Sequence, residues 1–420
     1  MKNLLATLTI TTILAAVATA EDMKLNLLTS VNPGEPSYEV LLEQVEIFEA
    51  KHPGVDIEVQ ATGHDEYFTK LQALTIADQL PDLIHLWPGE RTIYVLESGK
   101  VMDLMPFVKR DGLEDKILPM ILKPQNDKGQ VFVLGNNVNI TNIVYANDAV
   151  LKEAGLEYPK TFEDWYSQVD VLRKNKYYPL VMGNASSWVA QSCLLSPIVG
   201  RIAGDEWVNK AIAKDASFAD EPFVNSLKVI AEMNQKGLLP KAMNSLPRSK
   251  AVELFTAGKA AYFIEGAWSG SEFENIMTDE ELDNMSLHFL PSLNGKSATT
   301  SAIAGTSYGI NAKLADTPKA EIAWQWIKFF NGFGDQEGVN LAIKGGVIPP
   351  IKNLNVSDDA PKFVKKLAEL QTTLDETSYV LDGVLRPKGV EYLNTALQEL
   401  IAGEATPEDI AKKYESVARD

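Results

Sequence analysis

The 420-residue sequence is poor in cysteine and in positive charge. It has one cysteine, Cys193, so it can form neither an internal disulfide nor a metal site built from several cysteines. Lys and Arg total 39 against 57 Asp and Glu, which gives a formal net charge of -18 at pH 7. Because nucleic-acid backbones are anionic and the sequence has no run of Lys and Arg, we expect no nucleic-acid partner.

Several motifs of metal and nucleotide sites are also missing. The four histidines show no H-x-x-x-H spacing, and the sequence contains neither a GxGxxG fingerprint nor a Walker A loop. Carboxylates are plentiful, so a glycosidase-type acid pair stays open, although nothing in the sequence singles out one pair. The residues alone therefore indicate no metal, no cofactor and no particular catalytic centre.

The amino terminus has the three parts of a secretory signal peptide. Lys2 supplies the positive charge, an uncharged apolar run extends from Leu4 to Ala18, and Ala18-Thr19-Ala20 is a small-x-small cleavage site. The run is shorter than the roughly 20 apolar residues of a spanning helix, which argues against the alternative of an uncleaved anchor. Residue 21 is Glu and not Cys, so we expect no lipid anchor. We predict a signal peptide over residues 1–20 and a mature protein in the periplasm.

Strands and helices alternate after this segment. The apolar patterns predict a βαβαβ order, which indicates an open, mostly parallel sheet with helices on its faces. Ligands of such sheets bind beyond the carboxyl ends of the strands. The predicted ends are Asn32–Ser37, Ala61–Tyr67 and Trp87–Arg91. The length favours two or three domains, and the absence of a linker suggests that the chain crosses between them more than once.

Several segments resemble the extracellular solute-binding proteins of ABC importers, above all the carbohydrate-binding branch that includes maltose-binding protein. Each match is short, but their order and spacing extend over nearly the whole chain that follows the predicted signal peptide. The matching segments are Phe48–Glu58, Leu71–Leu83, Val144–Leu156, Pro159–Trp165, Phe255–Trp268, Ser307–Asn311 and Gly346–Pro350.

The resemblance implies an α/β, two-lobed fold with discontinuous domains, in which each lobe is an open, mostly parallel sheet flanked by helices. The first lobe would contain residues 21–130 plus 268–308, and the second residues 131–265 plus 312–420. Residues 131–147 and 261–268 would be crossover strands. The implied protein is a monomer that is not an enzyme and needs no cofactor or metal. It would capture a sugar or oligosaccharide by lobe closure and deliver it to the permease subunits of an ABC importer.

Two other functions stay open at this point. The same fold could bind another solute, such as a polyamine, which needs carboxylates and aromatic rings, or glycerol phosphate, which needs a basic cleft. A secreted carbohydrate-active enzyme is the other alternative.

A sugar offers apolar C–H faces to aromatic rings and hydroxyl groups to polar side chains. The resemblance places three tryptophans at the cleft. The alternative for Trp87 is core packing, with Glu90 and Arg91 at the start of a surface helix, and the alternative for Trp268 is hinge packing. For Glu265 the alternative is an inter-lobe salt bridge, and for Asn137 and Asn139 it is hydrogen bonding within the hinge. The candidate ligand-binding residues are Asn32, His64, Asp65, Trp87, Glu90, Arg91, Asn137, Asn139, Trp188, Glu265, Trp268, Thr306, Tyr308 and Asp382.

Overall fold

The computed structural model describes residues 23–419, so the predicted signal peptide lies outside the described residues. Within this range, no helix combines the length and the apolar character that crossing a membrane requires. The strands are β1 (Met23–Thr29), β2 (Val55–Ala61), β3 (Leu83–Leu86), β4 (Val138–Ile140), β5 (Ile143–Asn147), β6 (Tyr178–Val181), β7 (Ala260–Glu265), β8 (Met285–His288), β9 (Thr299–Ala304), β10 (Ser307–Ile310) and β11 (Glu376–Ser378).

Many of the helices begin at a proline in the first turn or at a capping side chain. Thr161 and Asp164 form the reciprocal capping box at the start of α6 that the sequence predicts. The α-helices are α1 (Pro36–Lys51), α2 (His64–Ile76), α3 (Ile93–Leu96), α4 (Met105–Arg110), α5 (Asp148–Glu153), α6 (Phe162–Lys174), α7 (Trp188–Ala190), α8 (Ser196–Ile202), α9 (Asp205–Ile212), α10 (Glu221–Gln235), α11 (Arg248–Thr256), α12 (Ser269–Ile276), α13 (Asp279–Asp283), α14 (Pro318–Phe330), α15 (Gln336–Lys344), α16 (Lys362–Thr372), α17 (Pro387–Ala402) and α18 (Pro407–Arg419). Short 3-10 turns cover Glu90–Thr92, Pro119–Leu122, Met243–Ser245, Ala312–Leu314 and Leu381–Gly383, and Gln191–Leu195 is a π-helical turn.

The first lobe is built on a four-stranded sheet with the order β10-β3-β1-β2. Strands β1, β2 and β3 are parallel, and β10 joins β3 in the antiparallel direction. Strand β3 is buried along its whole length because helices cover both faces of the sheet there, whereas the edge strand β2 alternates buried and exposed residues in its first half. One face packs with α1 and α14 through Phe48 and Trp324, and the other packs with α2 through Leu71.

The second lobe contains a mixed sheet with the order β6-β7-β5-β8. Strand β7 pairs in parallel with β6, whereas β5 runs antiparallel to both β7 and β8. Residues 260–265 of β7 are all buried, since helices cover this sheet on both faces. The two-lobed α/β class predicted from the sequence is therefore confirmed, with a mostly parallel sheet in the first lobe and a mixed sheet in the second.

Three segments of the described chain connect the lobes. The first contains β4 and the second contains β9; these strands pair with each other and, through β9, with β11 in a small third sheet. The third follows α15, where Pro350 accepts a hydrogen bond from Leu118 of the first lobe before α16 packs in the second. The predicted first crossover, residues 131–147, contains β4.

The lobe boundaries differ from those predicted in three places. Residues 261–268 are not a crossover, because β7 is an inner strand of the second sheet. Residues 268–288 belong to the second lobe, where β8 pairs with β5 and Phe273 packs in the core. Helix α14, assigned to the second lobe from the sequence, packs its buried Trp324 and Trp326 in the first-lobe core. Apolar periodicity identifies a helix but does not say which of two sheets it covers.

Candidate functional site

A cavity of about 940 Å³ lies between the two lobes. On the first-lobe side it is lined by residues at the carboxyl ends of β1, β2 and β3, where the sequence predicted a binding crevice. On the second-lobe side it is lined by α7, by the start of α11 and by residues around Trp268. The loop before α17 contributes Asp382.

Most of the predicted site residues line this cavity. The structure brings together Asn32, His64, Asp65, Trp87, Arg91, Asn137, Asn139, Trp188, Trp268, Thr306, Tyr308 and Asp382. Tyr308 is only 1% exposed and packs against the ring of Phe330, so it forms part of the floor. Glu90 and Glu265, also predicted as ligand contacts, are not among the lining residues.

Ring packing fixes Trp87 on the first-lobe wall. Its ring centroid lies 5.0 Å from that of Phe68 and 4.9 Å from that of His85. The Arg91 guanidinium lies above the rings of Phe68 and Trp87, 4.7 Å from the first centroid and 5.6 Å from the second. The indole therefore meets the cavity with its orientation set by apolar and cation–π contacts.

His85 is a buried, neutral residue beneath this wall. Its Nδ1 accepts a hydrogen bond from the backbone N–H of Ser30, and the Ser30 hydroxyl is 2.9 Å from the same nitrogen. Nδ1 is therefore unprotonated, and Nε2 carries the proton of the neutral ring. Burial, together with a smaller effect of His64, lowers the pKa of His85 to about 3. The position of His85 next to Trp87 could have been predicted from the sequence, because residues 85 and 87 point to the same side of a strand.

The second-lobe wall carries the other two indoles. The rings of Trp188 and Trp268 have centroids 5.9 Å apart at an interplanar angle of 52°. Gly266 allows this position, since a Cβ there would come within 2.1 Å of the Trp268 ring. The His64 ring of the first lobe lies 5.8 Å from Trp188, so aromatic side chains of both lobes meet at this edge of the cleft.

A charged network lies behind Trp268. Arg248 Nε donates to both carboxylate oxygens of Glu265, at 3.1 and 2.9 Å, and its Nη1 donates to Glu272 at 2.7 Å. Ser269 also donates to Glu265, and the Trp268 side chain is within hydrogen-bonding reach of it. Burial raises the pKa of Glu265, whereas Arg248 opposes that shift. Glu265 thus holds two groups of the wall from behind the cavity, and its ion pair with Arg248 lies within the second lobe and not between the lobes.

Arg248 itself lines the cavity, and the sequence reasoning missed it. It begins α11, 17 residues before the carboxylate that it binds. No local spacing links the two, so only the tertiary structure could reveal the pair. Other polar lining residues that were missed include Ser30, Asn136, Ser186, Ser192, Ser271 and Glu272.

The rim of the cleft is polar and acidic. Five carboxylate residues line it against two arginines, and the carboxylates are Glu35, Asp65, Glu66, Glu272 and Asp382. Arg91 faces Asp382 with 3.4 Å between Nη1 and Oδ2, and Arg248 is held by the network described above. Both cleft arginines are therefore already paired with carboxylates. A hydrogen bond from His64 lowers the pKa of Asp65, which also accepts one from Ser186 of the other lobe at 3.1 Å.

Glu90 lies beside the cavity and not in it. Its side chain faces the segment of the second lobe that contains Arg386. Its Oε2 is 3.3 Å from Arg386 Nη1, in the segment that leads into α17. The prediction that Glu90 lines the cleft is wrong, although its neighbour Arg91 does so.

One local pattern resembles a hydrolase nucleophile. Residues 305–309 read Gly-Thr-Ser-Tyr-Gly, which matches the spacing of a nucleophile elbow. Ser307, however, is fully buried within β10, and its hydroxyl donates to Asn331 at 2.8 Å. A nucleophilic serine needs a base and an exposed position at a strand-to-helix turn, so Ser307 has a structural role.

Two α/β lobes connected by several chain segments, with an aromatic and polar cleft between them, define a two-lobed binding protein. A model of the family described as bacterial extracellular solute-binding protein matches residues 30–337. The chain belongs to this family.

Individual relatives are distant in sequence and close in fold. "Probable sugar-binding periplasmic protein" of Mesorhizobium japonicum is 23% identical over 220 residues, which is 52% of this chain and 52% of that protein. The galactooligosaccharide-binding protein of Bacillus subtilis is 24% identical over 271 residues, 64% of this chain and 61% of that protein. The chain thus spans between half and two thirds of the length of these relatives. The structure of a chitin oligosaccharide binding protein has a TM-score of 0.83 at 21% identity and covers 95% of this chain and 99% of that one, which establishes the fold.

Proposed function

We propose that this protein is a periplasmic receptor that binds a sugar or oligosaccharide between its lobes and delivers it to an ABC importer. The observation that carries the proposal is the pair of indole-bearing walls, Trp87 on one lobe and Trp188 with Trp268 on the other. Aromatic planes suit the C–H faces of a sugar ring, and the amide, hydroxyl and carboxylate groups of the rim suit its hydroxyls.

The size of the cleft favours an oligosaccharide. Small-molecule sites in proteins range over about 300–1,000 Å³, and the cavity of about 940 Å³ is at the upper end of that range. The names of two relatives, which specify galactooligosaccharides and chitin oligosaccharides, support the same class of ligand.

The charges of the cleft argue against glycerol phosphate. A phosphate needs an available cation, and both cleft arginines are paired with carboxylates. A polyamine would suit the acidic rim, but it would not need three indoles on two facing walls. A neutral saccharide uses both features.

The proposed mechanism is closure of the lobes around the sugar, in a protein that acts as a monomer. A ligand that contacts both walls binds the closed arrangement better than the open one and shifts the population toward it. The closed form would then present both lobes to the permease subunits of the importer. The predicted signal peptide and the family support export, and retention behind an outer membrane would keep the receptor near the cell.

The test is a panel of maltotriose, a galactooligosaccharide, chitotriose, spermidine and glycerol 3-phosphate. Thermal unfolding should show a higher Tm with one saccharide and no change with spermidine or glycerol 3-phosphate. Tryptophan fluorescence should change with the same saccharide, and Trp268→Ala should abolish both responses. Trp207→Phe is the matched control. Trp207 lies in α9, where it packs against Phe218 and Phe223 and does not line the cleft. The saccharide should be recovered intact, and its hydrolysis, or full binding by Trp268→Ala, would contradict the proposal.

A further inference from the structure

Two turns from different lobes meet beside the cleft. The first, residues 89–92, follows β3 in the first lobe, and the second, residues 381–386, leads into α17 in the second lobe. Their backbones approach so closely that a Cβ on Gly89 would lie 2.5 Å from the carbonyl oxygen of Gly383. Gly89 also has a φ of +99°, which favours glycine. We refer to these segments as the facing turns.

Crossed ion pairs link the facing turns. Arg91 of the first turn is 3.4 Å from Asp382 of the second, and Arg386 of the second is 3.3 Å from Glu90 of the first. Each turn therefore contributes one acid and one base. The two pairs differ in position, because Arg91 and Asp382 line the cavity whereas Glu90 and Arg386 do not.

Glu90 depends on its partner across the lobes. Its side chain is 22% exposed, against 73% for Arg386, and its Oε2 is buried without a hydrogen bond from any described residue. Burial raises the pKa of Glu90, and Arg386 lowers it. An exposed arginine gains little from such a pair, but a half-buried carboxylate that loses its counter-charge is penalised.

We propose that Glu90 and Arg386 are positioning residues that stabilise the closed arrangement of the lobes without contacting the ligand. When the lobes separate, water solvates the Glu90 carboxylate and the pair is no longer needed. Removal of Arg386 therefore raises the free energy of the closed form and leaves the open form unchanged. Because apparent affinity scales with the fraction of the binding-competent state, binding weakens although no ligand contact is lost.

The first experiment measures affinity, and it depends on the proposed function. The probe is the panel saccharide that raises Tm most. We expect Arg386→Met to weaken its binding by about 3- to 10-fold, mainly through faster dissociation. Glu90→Gln together with Arg386→Met should recover most of this loss, since the unpaired charge is removed. Arg110→Met is the matched control, because Arg110 is an exposed arginine paired with Glu321 within the first lobe. Unchanged affinity of Arg386→Met, or no recovery in the double variant, would overturn the proposal.

The second experiment needs no sugar. Small-angle X-ray scattering of the unliganded protein should give a larger radius of gyration for Arg386→Met than for the parent, and the parent value for the double variant. If no panel member binds the parent, the proposed function fails but this comparison still tests the facing turns. Identical scattering profiles for parent and Arg386→Met would contradict the proposed role.

Discussion

The two walls of the cleft hold their tryptophans by different means. On the first lobe, Trp87 is fixed by Phe68, His85 and the overlying Arg91, so its surroundings are rings and one cation. On the second lobe, Trp268 lies against a buried carboxylate that also binds Arg248 and Ser269. One wall is an aromatic cluster, and the other is a charged network.

This difference predicts different responses to substitution. Ring packing has no strict partner requirement, so conservative replacement costs little. A buried charge network depends on every member, because removing one leaves another charged and unpaired. The three predictions below compare the two lobes and their walls, from the largest expected effect to the smallest.

Arg248→Met should destabilise the protein by about 3 kcal/mol, because Glu265 is 1% exposed and would lose its counter-charge. Arg91→Met on the other wall should cost less, about 1–2 kcal/mol, since its ion pair with Asp382 is a single 3.4 Å contact and the rest of the guanidinium covers rings. Urea unfolding of each variant measures both values. Glu265→Gln combined with Arg248→Met should regain most of the loss. Equal costs for the two arginines would show that the walls do not differ in this way.

Each lobe also contains a histidine that burial keeps neutral. Burial lowers the pKa of His85 in the first lobe to about 3 and that of His288 in the second to about 4. The unfolded chain binds a proton near pH 6.5, so between pH 6.5 and these values it holds more protons than the native state. Stability should therefore fall as the pH is lowered through this window, by about 2 kcal/mol per histidine between pH 7 and pH 5.

Unfolding free energies of His85→Gln and His288→Gln at pH 7 and pH 5 test this expectation. Each variant should show a pH dependence smaller than that of the parent by about 2 kcal/mol. Below pH 4 the loss of stability should continue through His85 alone, because His288 is then protonated in the native state too. A parent-like pH dependence in either variant would mean that the histidine in question does not titrate on unfolding.

The smallest effect concerns phenylalanine in place of each indole. Trp87→Phe keeps a ring within the aromatic cluster and should weaken saccharide binding about 3-fold. Trp268→Phe also loses the indole N–H near Glu265 and should weaken binding about 10-fold. Isothermal titration with the best panel saccharide distinguishes the two. A larger loss for Trp87→Phe would reverse the order of the walls.

The first-lobe wall was more accessible to prediction than the second. Asn32, His64 and Trp87 follow three parallel strands, and parallel strands end at one edge of a sheet, so a local pattern brought them together. The second-lobe network depends on Arg248, which binds an acid on a strand that the local pattern does not connect to it. Glu90 shows the limit of that local pattern, since it adjoins a cleft residue and still lies outside the cavity.

The resemblance to extracellular solute-binding proteins implied the two lobes and the cleft tryptophans. The order of apolar and polar residues by itself determined the α/β class and the strand ends that form the first wall. Local periodicity encodes these features, because each depends on residues a few positions apart. The tertiary structure alone decided which lobe α14 and β8 join, which acid Arg248 binds and which turns meet across the cleft. These outcomes depend on long-range packing and on the desolvation of individual charges, which no short stretch of sequence records.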